Sequence, residues 1–231
     1  KISYIEEKNL NENQKWGIYK YDILSSSERK DGSSQLSDAE YMINNGMTKN
    51  QYIDMYNTAQ KNNIDIPTEE DYKKLKQKGI NINHYIDYKV KEKQYKNENR
   101  ELKDKDKIQI LINSNYSNKE IKAIYEDQIK STNDAKYNIM NKAGVDIKEY
   151  LKYKQQDFNS NKSKTYNYVN NMKINYNQKL LLLGMQYSLT SDEKTKLANY
   201  VNTMNIRKQD KLDIYSKIKG FKVYDDGRVT W

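Results

Sequence analysis

Cysteine is absent from the 231 residues. That excludes disulfide frameworks, thiolate-held zinc, iron–sulfur clusters and cysteine nucleophiles. Histidine occurs once, at His84, so all imidazole chemistry would run through one residue and a conventional hydrolase is disfavoured. Proline also occurs once, at Pro67, and glycine eight times, which argues against a Pro/Gly-rich linker. No apolar run approaches the roughly 18 residues that a membrane-spanning helix needs; the longest is Leu180 to Leu183. At the start, Ile2, Tyr4 and Ile5 are soon followed by Glu6, Glu7 and Lys8, so no signal peptide is visible. The first residue is Lys rather than Met, which reads as a fragment or processed product of a longer chain.

What is present is polar and basic. Hydrophobic residues make up 35%, below the usual 45–50% or so of globular domains. Charged residues make up 32%, and the mean hydropathy is -1.15. The net charge is +9, from 41 Lys and Arg against 32 Asp and Glu. A basic excess points to an anionic partner such as nucleic acid or a membrane surface. Two features weaken that implication. The only arginines are Arg29, Arg100, Arg207 and Arg228, whereas base and phosphate recognition favours the arginine fork. Lys, Asn, Ile and Tyr are also over-used together, as AT-rich codon usage dictates. From Glu98 to Lys107 acids and bases alternate, the pattern of a solvated helix face.

Residues 1–36 read as irregular. Trp16, Ile18, Tyr19, Tyr21, Ile23 and Leu24 form an apolar cluster there. Ser25 to Gln35 reads as a polar surface loop with an Asp31-Gly32 turn. Helix signals dominate from Leu36 onward. Capping boxes pair Ser37 with Glu40, Thr48 with Gln51, Ser117 with Glu120 and Thr190 with Glu193. Thr68 precedes Glu69, Glu70 and Asp71, acids that suit the positive end of a helix. Gly46, Gly79, Gly144 and Gly220 stand where helices stop. Leu197, Tyr200, Val201 and Met204 follow helical spacing, as do Tyr52, Met55, Tyr56 and Ala59. From Phe221 to Trp231 apolar and polar residues alternate around Asp225, Asp226 and Gly227, which predicts a β-hairpin.

Two internal repeats stand out. Tyr72, Gly79, Tyr85 and Tyr88 match Tyr137, Gly144, Tyr150 and Tyr153 at an offset of 65. Tyr168, Met172, Ile174 and Lys179 match Tyr200, Met204, Ile206 and Lys211 at an offset of 32. Ile110 to Ile121 reads as a weaker third copy. Each unit is a helix, a tight turn and a second helix, too small to bury its own face, so neighbours must stack. Val169, Met172, Val201 and Met204 are then inward residues. Ile174 and Ile206 staple the turns. The predicted class is all-α: an array of short helix-turn-helix repeats with a small C-terminal β-hairpin. The expected divisions are 1–36 irregular, 37–130 helical, 131–219 helical repeats and 220–231 hairpin.

Residues that could carry chemistry are few. His84 falls inside a repeat, opposite Glu149, which is a poor place for a unique catalyst. Asp157, Asn159, Asn161 and Ser163 have the opening rhythm of a calcium loop. Lys162 then stands where the turn wants glycine, and Tyr168 where a bidentate Glu is needed, so no metal site is expected. With 22 Tyr against 2 Phe, Tyr88, Tyr95, Tyr125, Tyr137, Tyr150 and Tyr153 are expected to fill the core. Neither a catalytic residue nor a cofactor is expected, and no small-molecule substrate.

The segment Lys164 to Tyr187, and its echo ending in Gly220 to Trp231, resemble the C-terminal region of large virion proteins of bacteriophages that infect low-GC Gram-positive bacteria. Those proteins are of tape-measure or minor tail type. The resemblance covers residues 137–231 well and 37–136 loosely. It implies a virion structural part without enzymatic activity, made in the host cytoplasm, at the tail tip, and involved in tail assembly and genome ejection. It also implies other tail proteins as partners, a homo-oligomer of trimer type and transient contact with DNA. Phe221, Tyr224 and Trp231 are then expected to anchor a neighbouring subunit. The alternatives are a basic helical nucleic-acid-binding module and an internal virion protein ejected from the capsid.

Overall fold

A computed structural model describes residues 10–24, 34–97, 102–130 and 134–231. The loop expected at 25–35 lies mostly outside the described residues, as do residues 98–101 of the alternating charged segment. Among the described residues there are thirteen α-helices and one two-stranded sheet, which is the expected all-α architecture with a terminal hairpin. The chain divides into two compact units, Lys1–Asp127 and Gln128–Trp231.

The first unit opens with α1 (Glu12–Ile18) and a π-helical segment (Tyr19–Leu24). Residues 1–36 are thus not irregular throughout. Asn11 and Gln14 form a capping box that starts α1, although no Ser or Thr announces it. Tyr19 and Leu24 are fully buried, and the Tyr19 hydroxyl donates to Asn57 Oδ1 at 2.5 Å. Trp16 meets Tyr52 edge-on at 5.9 Å. Tyr21 leaves the expected cluster: it is 71% exposed because the π turn points it outward, beside the Lys20 ammonium.

There follow α2 (Gln35–Asn44), α3 (Lys49–Lys61), α4 (Glu69–Lys78), α5 (Ile82–Asn97), α6 (Asp104–Ile112) and α7 (Asn118–Gln128). Helix α3 packs on α1 and α5, and α2 packs on α4. Thr48 and Thr68 cap α3 and α4 as expected. Ser37 does not cap: the Asp38 N–H bonds the Ser34 carbonyl, so α2 has already begun when the chain reaches Ser37. The Asp38 carboxylate accepts the Glu69 N–H at 2.8 Å instead.

The second unit contains α8 (Ala135–Lys142), α9 (Ile147–Lys154), α10 (Lys162–Asn171), α11 (Tyr176–Gly184), α12 (Ser191–Thr203) and α13 (Lys208–Ser216). It closes with β1 (Lys222–Val223) and β2 (Val229–Thr230). Helix α11 touches α8, α10 and α12. Leu180, Leu181, Leu182 and Leu183 are all buried, so the longest apolar run makes the one stretch of α11 that is covered on every side.

Both repeats recur as geometry. Gly79 and Gly144 adopt φ of 71° and 68°, a left-handed conformation that a side chain resists. The following Ile80 and Val145 N–H groups reach back to Leu75 and Met140 at 2.9 and 3.0 Å, completing the same helix stop. Asn81 and Asp146 then cap the next helix. In the shorter repeat, Lys179 and Lys211 each donate to the carbonyl of Asn170 and Asn202 at 2.6 Å. Val169 and Val201 are fully buried. Met172 is buried, but Met204, Ile174 and Ile206 are half-buried. Of the tyrosines expected in the core, only Tyr95 is half-buried; the others are buried.

Gly184 is packed closely against buried side chains. A Cβ there would lie 3.0 Å from Ile218 Cγ2 and 3.1 Å from Leu189 Cδ1. Its carbonyl accepts the Lys219 N–H at 2.8 Å, which holds the Ile218 segment in place. Gly184→Ala is expected to lower stability by about 1–2 kcal/mol through overpacking, measured by chemical denaturation. Gly17→Ala, with open space at its Cβ, is expected to do no harm.

Candidate interface site at the C-terminal hairpin

The hairpin is built from a two-residue ladder. Lys222 pairs with Thr230 and Val223 with Val229. The turn closes through Tyr224 N–H to the Arg228 carbonyl at 2.9 Å and Gly227 N–H to the Tyr224 carbonyl at 2.8 Å. Gly227 has a φ of 82°. Asp226 accepts both the Arg228 N–H and the Arg228 guanidinium, at 2.9 and 2.6 Å. These bonds hold its carboxyl below the usual carboxylate range. The same guanidinium lies 5.2 Å from the centre of the Tyr224 ring.

So short a ladder is marginal by itself, and an aromatic stack fixes it to the helices. Phe221 stacks on Tyr215 of α13 at 5.3 Å and on Trp231 at 5.4 Å. Tyr215 is tied down in turn, its hydroxyl bonding the Ala198 carbonyl at 2.9 Å and Asn202 at 3.0 Å. The stack therefore runs from the core of the unit to its surface. Phe221 is buried inside it, so this residue anchors the hairpin to its own chain rather than facing outward. Tyr224 and Trp231 are 43% and 50% exposed. Sequence reasoning named these three but missed Tyr215, whose repeat partner, 32 residues earlier, is the buried Leu183.

A second exposed aromatic stands beside the same helix. The Trp231 indole reaches Thr195 of α12 at 3.5 Å. Tyr176 is 54% exposed, with Lys196, the next residue of α12, 5.9 Å from its ring centre. Exposed Trp and Tyr beside polar side chains are what protein interfaces use as anchors.

The other singled-out residues serve internal contacts. His84 Nδ1 lies 2.8 Å from Glu120, and its ring stacks on Tyr116 at 4.8 Å. The Tyr116 hydroxyl donates to Asp87 at 2.6 Å. Glu120 also accepts N–H groups from Asn81 and Ser117. The cluster thus fastens the start of α5 to the start of α7. In the loop before α10, Asp157 accepts the Asn159 N–H and Asn161 accepts the Lys164 N–H. These oxygens close turns and cap a helix. Among the described residues, no group of three or more His, Cys, Asp and Glu could hold a metal ion.

No known protein family, curated protein or solved structure matches the chain. Fold and geometry define a helical-repeat protein with an aromatic-faced terminal hairpin.

Two predictions follow from these contacts. Phe221→Ala is expected to cost about 3 kcal/mol in the stability of its unit, and Trp231→Ala about 1 kcal/mol, compared by denaturant titration. For Glu120, burial opposes ionisation, but the Ser117, Asn81 and His84 hydrogen bonds outweigh it and bring the carboxyl down to about 2. Its contribution is therefore full above the ordinary carboxylate range and is lost as pH falls towards 2. Glu120→Gln is expected to cost about 2 kcal/mol at pH 7, with the difference from wild type vanishing in acid, followed by circular dichroism.

Proposed function

We propose that this chain is a structural part of a bacteriophage virion, the C-terminal region of a tape-measure or minor-tail-type protein. In this reading it serves tail assembly and genome ejection and carries out no catalysis. Its partners are other tail proteins and further copies of itself, of trimer type, with transient contact to DNA. Its place is the virion tail, after synthesis in the host cytoplasm.

The observation that carries the reading is the exposed end of the aromatic stack. A hairpin of this size needs only Phe221 to dock on α13, yet Tyr224 and Trp231 stay on the surface. The charge pattern supports a protein partner over a nucleic acid. Exposed lysines are neutralised one turn away, as in Lys73–Glu69, Lys74–Glu70 and Lys196–Asp192, which breaks up any continuous basic stripe.

The test is peptide mass spectrometry of purified particles from the source. Peptides of this chain are expected at low copy, together with peptides from sequence preceding Lys1 at matching stoichiometry. Trp231→Ala is expected to reduce incorporation into particles about tenfold or more, as loss of an interface anchor does, while the unit stays folded. Absence from particles, with the chain found in cell lysate, would overturn the reading. A steep fall of DNA affinity with salt would then favour the basic nucleic-acid-binding module.

A further inference from the structure

Away from the hairpin, the second unit holds a cavity of about 250 Å³ between α8, α9 and the segments around Phe158 and Gln186. Asp134, Lys136, Tyr150, Tyr153, Phe158 and Gln186 line it. The Lys136 ammonium enters this space without a carboxylate partner among the described residues. Asp134, two residues earlier, is taken by other groups. It pairs with Lys154, accepts the Tyr150 hydroxyl at 3.2 Å and caps α8 through the Tyr137 N–H at 2.9 Å. What Lys136 does meet is Tyr153. Its Nζ donates to the Tyr153 hydroxyl oxygen at 3.3 Å and lies 5.3 Å from the centre of that ring.

An amine half-removed from water, against an aromatic ring and near a second lysine, is the arrangement that makes lysine a nucleophile. Burial pushes the Lys136 ammonium down from its ordinary value. Asp134 opposes this, and the neighbouring Lys154 adds to it. The Tyr153 oxygen also accepts Gln186 Nε2 at 2.5 Å. With two donors on that oxygen, its own hydrogen is left to point elsewhere.

We propose that Lys136 is a nucleophilic amine that condenses with a small aldehyde, of short alkyl or aryl type, inside this cavity. The nitrogen lone pair adds to the carbonyl carbon while Tyr153 O–H donates a hydrogen bond to the carbonyl oxygen. Both amine hydrogens pass to that oxygen, the C–O bond breaks, water leaves and a C=N bond remains. No oxidant or reductant is required. The walls of Tyr153 and Phe158 suit an apolar aldehyde tail. The assignment is independent of where the protein assembles.

The test uses the full chain, benzaldehyde as the probe and cyanoborohydride to trap the imine, with peptide mass spectrometry to rank every lysine. At pH 7, Lys136 is expected to be benzylated about tenfold or more faster than exposed lysines such as Lys74, as a desolvated amine beside a second cation is the better nucleophile. Tyr153→Phe is expected to slow Lys136 alone, leaving the other lysines as internal controls. Labelling of Lys136 at or below the rate of the exposed lysines in the wild-type chain would overturn the proposal.

Discussion

A helix of eight to ten residues is marginal in water, because nucleating it fixes many dihedral angles for few hydrogen bonds. Eight of the thirteen helices among the described residues are of that size, so each of these depends on an apolar stripe covered by a neighbour. Helix α11 meets the constraint most fully. Its four leucines face α8, α10 and α12 at once, and the Gly184 carbonyl at its end holds the Lys219 N–H. The hairpin depends on the same helix indirectly, since Phe221 rests on Tyr215 and Tyr215 is held by α12.

Short helices also place heavy demands on their ends. Four of the unsatisfied N–H and C=O groups at each end weigh more in nine residues than in twenty. The chain meets this with one device used repeatedly. A left-handed residue stops a helix, an apolar residue follows, and a polar residue caps the next. Gly79-Ile80-Asn81 and Gly144-Val145-Asp146 are two instances. Asn63-Ile64 supplies the first two parts, with the cap further on at Thr68: Asn63 takes a φ of 52°, and the Ile64 N–H reaches Ala59 at 2.8 Å.

This local chemistry is why most of the fold was legible in the sequence. Caps and stops depend on residues only a few positions apart, and the two repeats reuse the same local spacings. The misreadings arose where distant packing decides. Asn11 and Gln14 cap a helix in a segment without a clear apolar stripe. Asn63 does the work expected of glycine. Tyr21 follows the π turn outward although Tyr19 and Leu24 are buried. In the candidate interface, alternation placed Phe221, Tyr224 and Trp231 on a hairpin. It could not show that Phe221 would be claimed by α13, because Tyr215 lies six residues upstream in another element. Tyr176 and the Lys136 cavity were likewise invisible, since each is assembled from several helices.

The chain's two tryptophans fall one to each unit. Trp16 lies half-buried, edge-on to Tyr52, and Trp231 lies half-exposed on Phe221. The protein therefore carries its own pair of fluorophores in unlike surroundings, fed by a dense tyrosine background. A Trp16→Phe variant leaves tryptophan emission from the hairpin alone, so that anything settling on Trp231 shifts that emission. The reverse substitution leaves a reporter of the first unit that is blind to such contact.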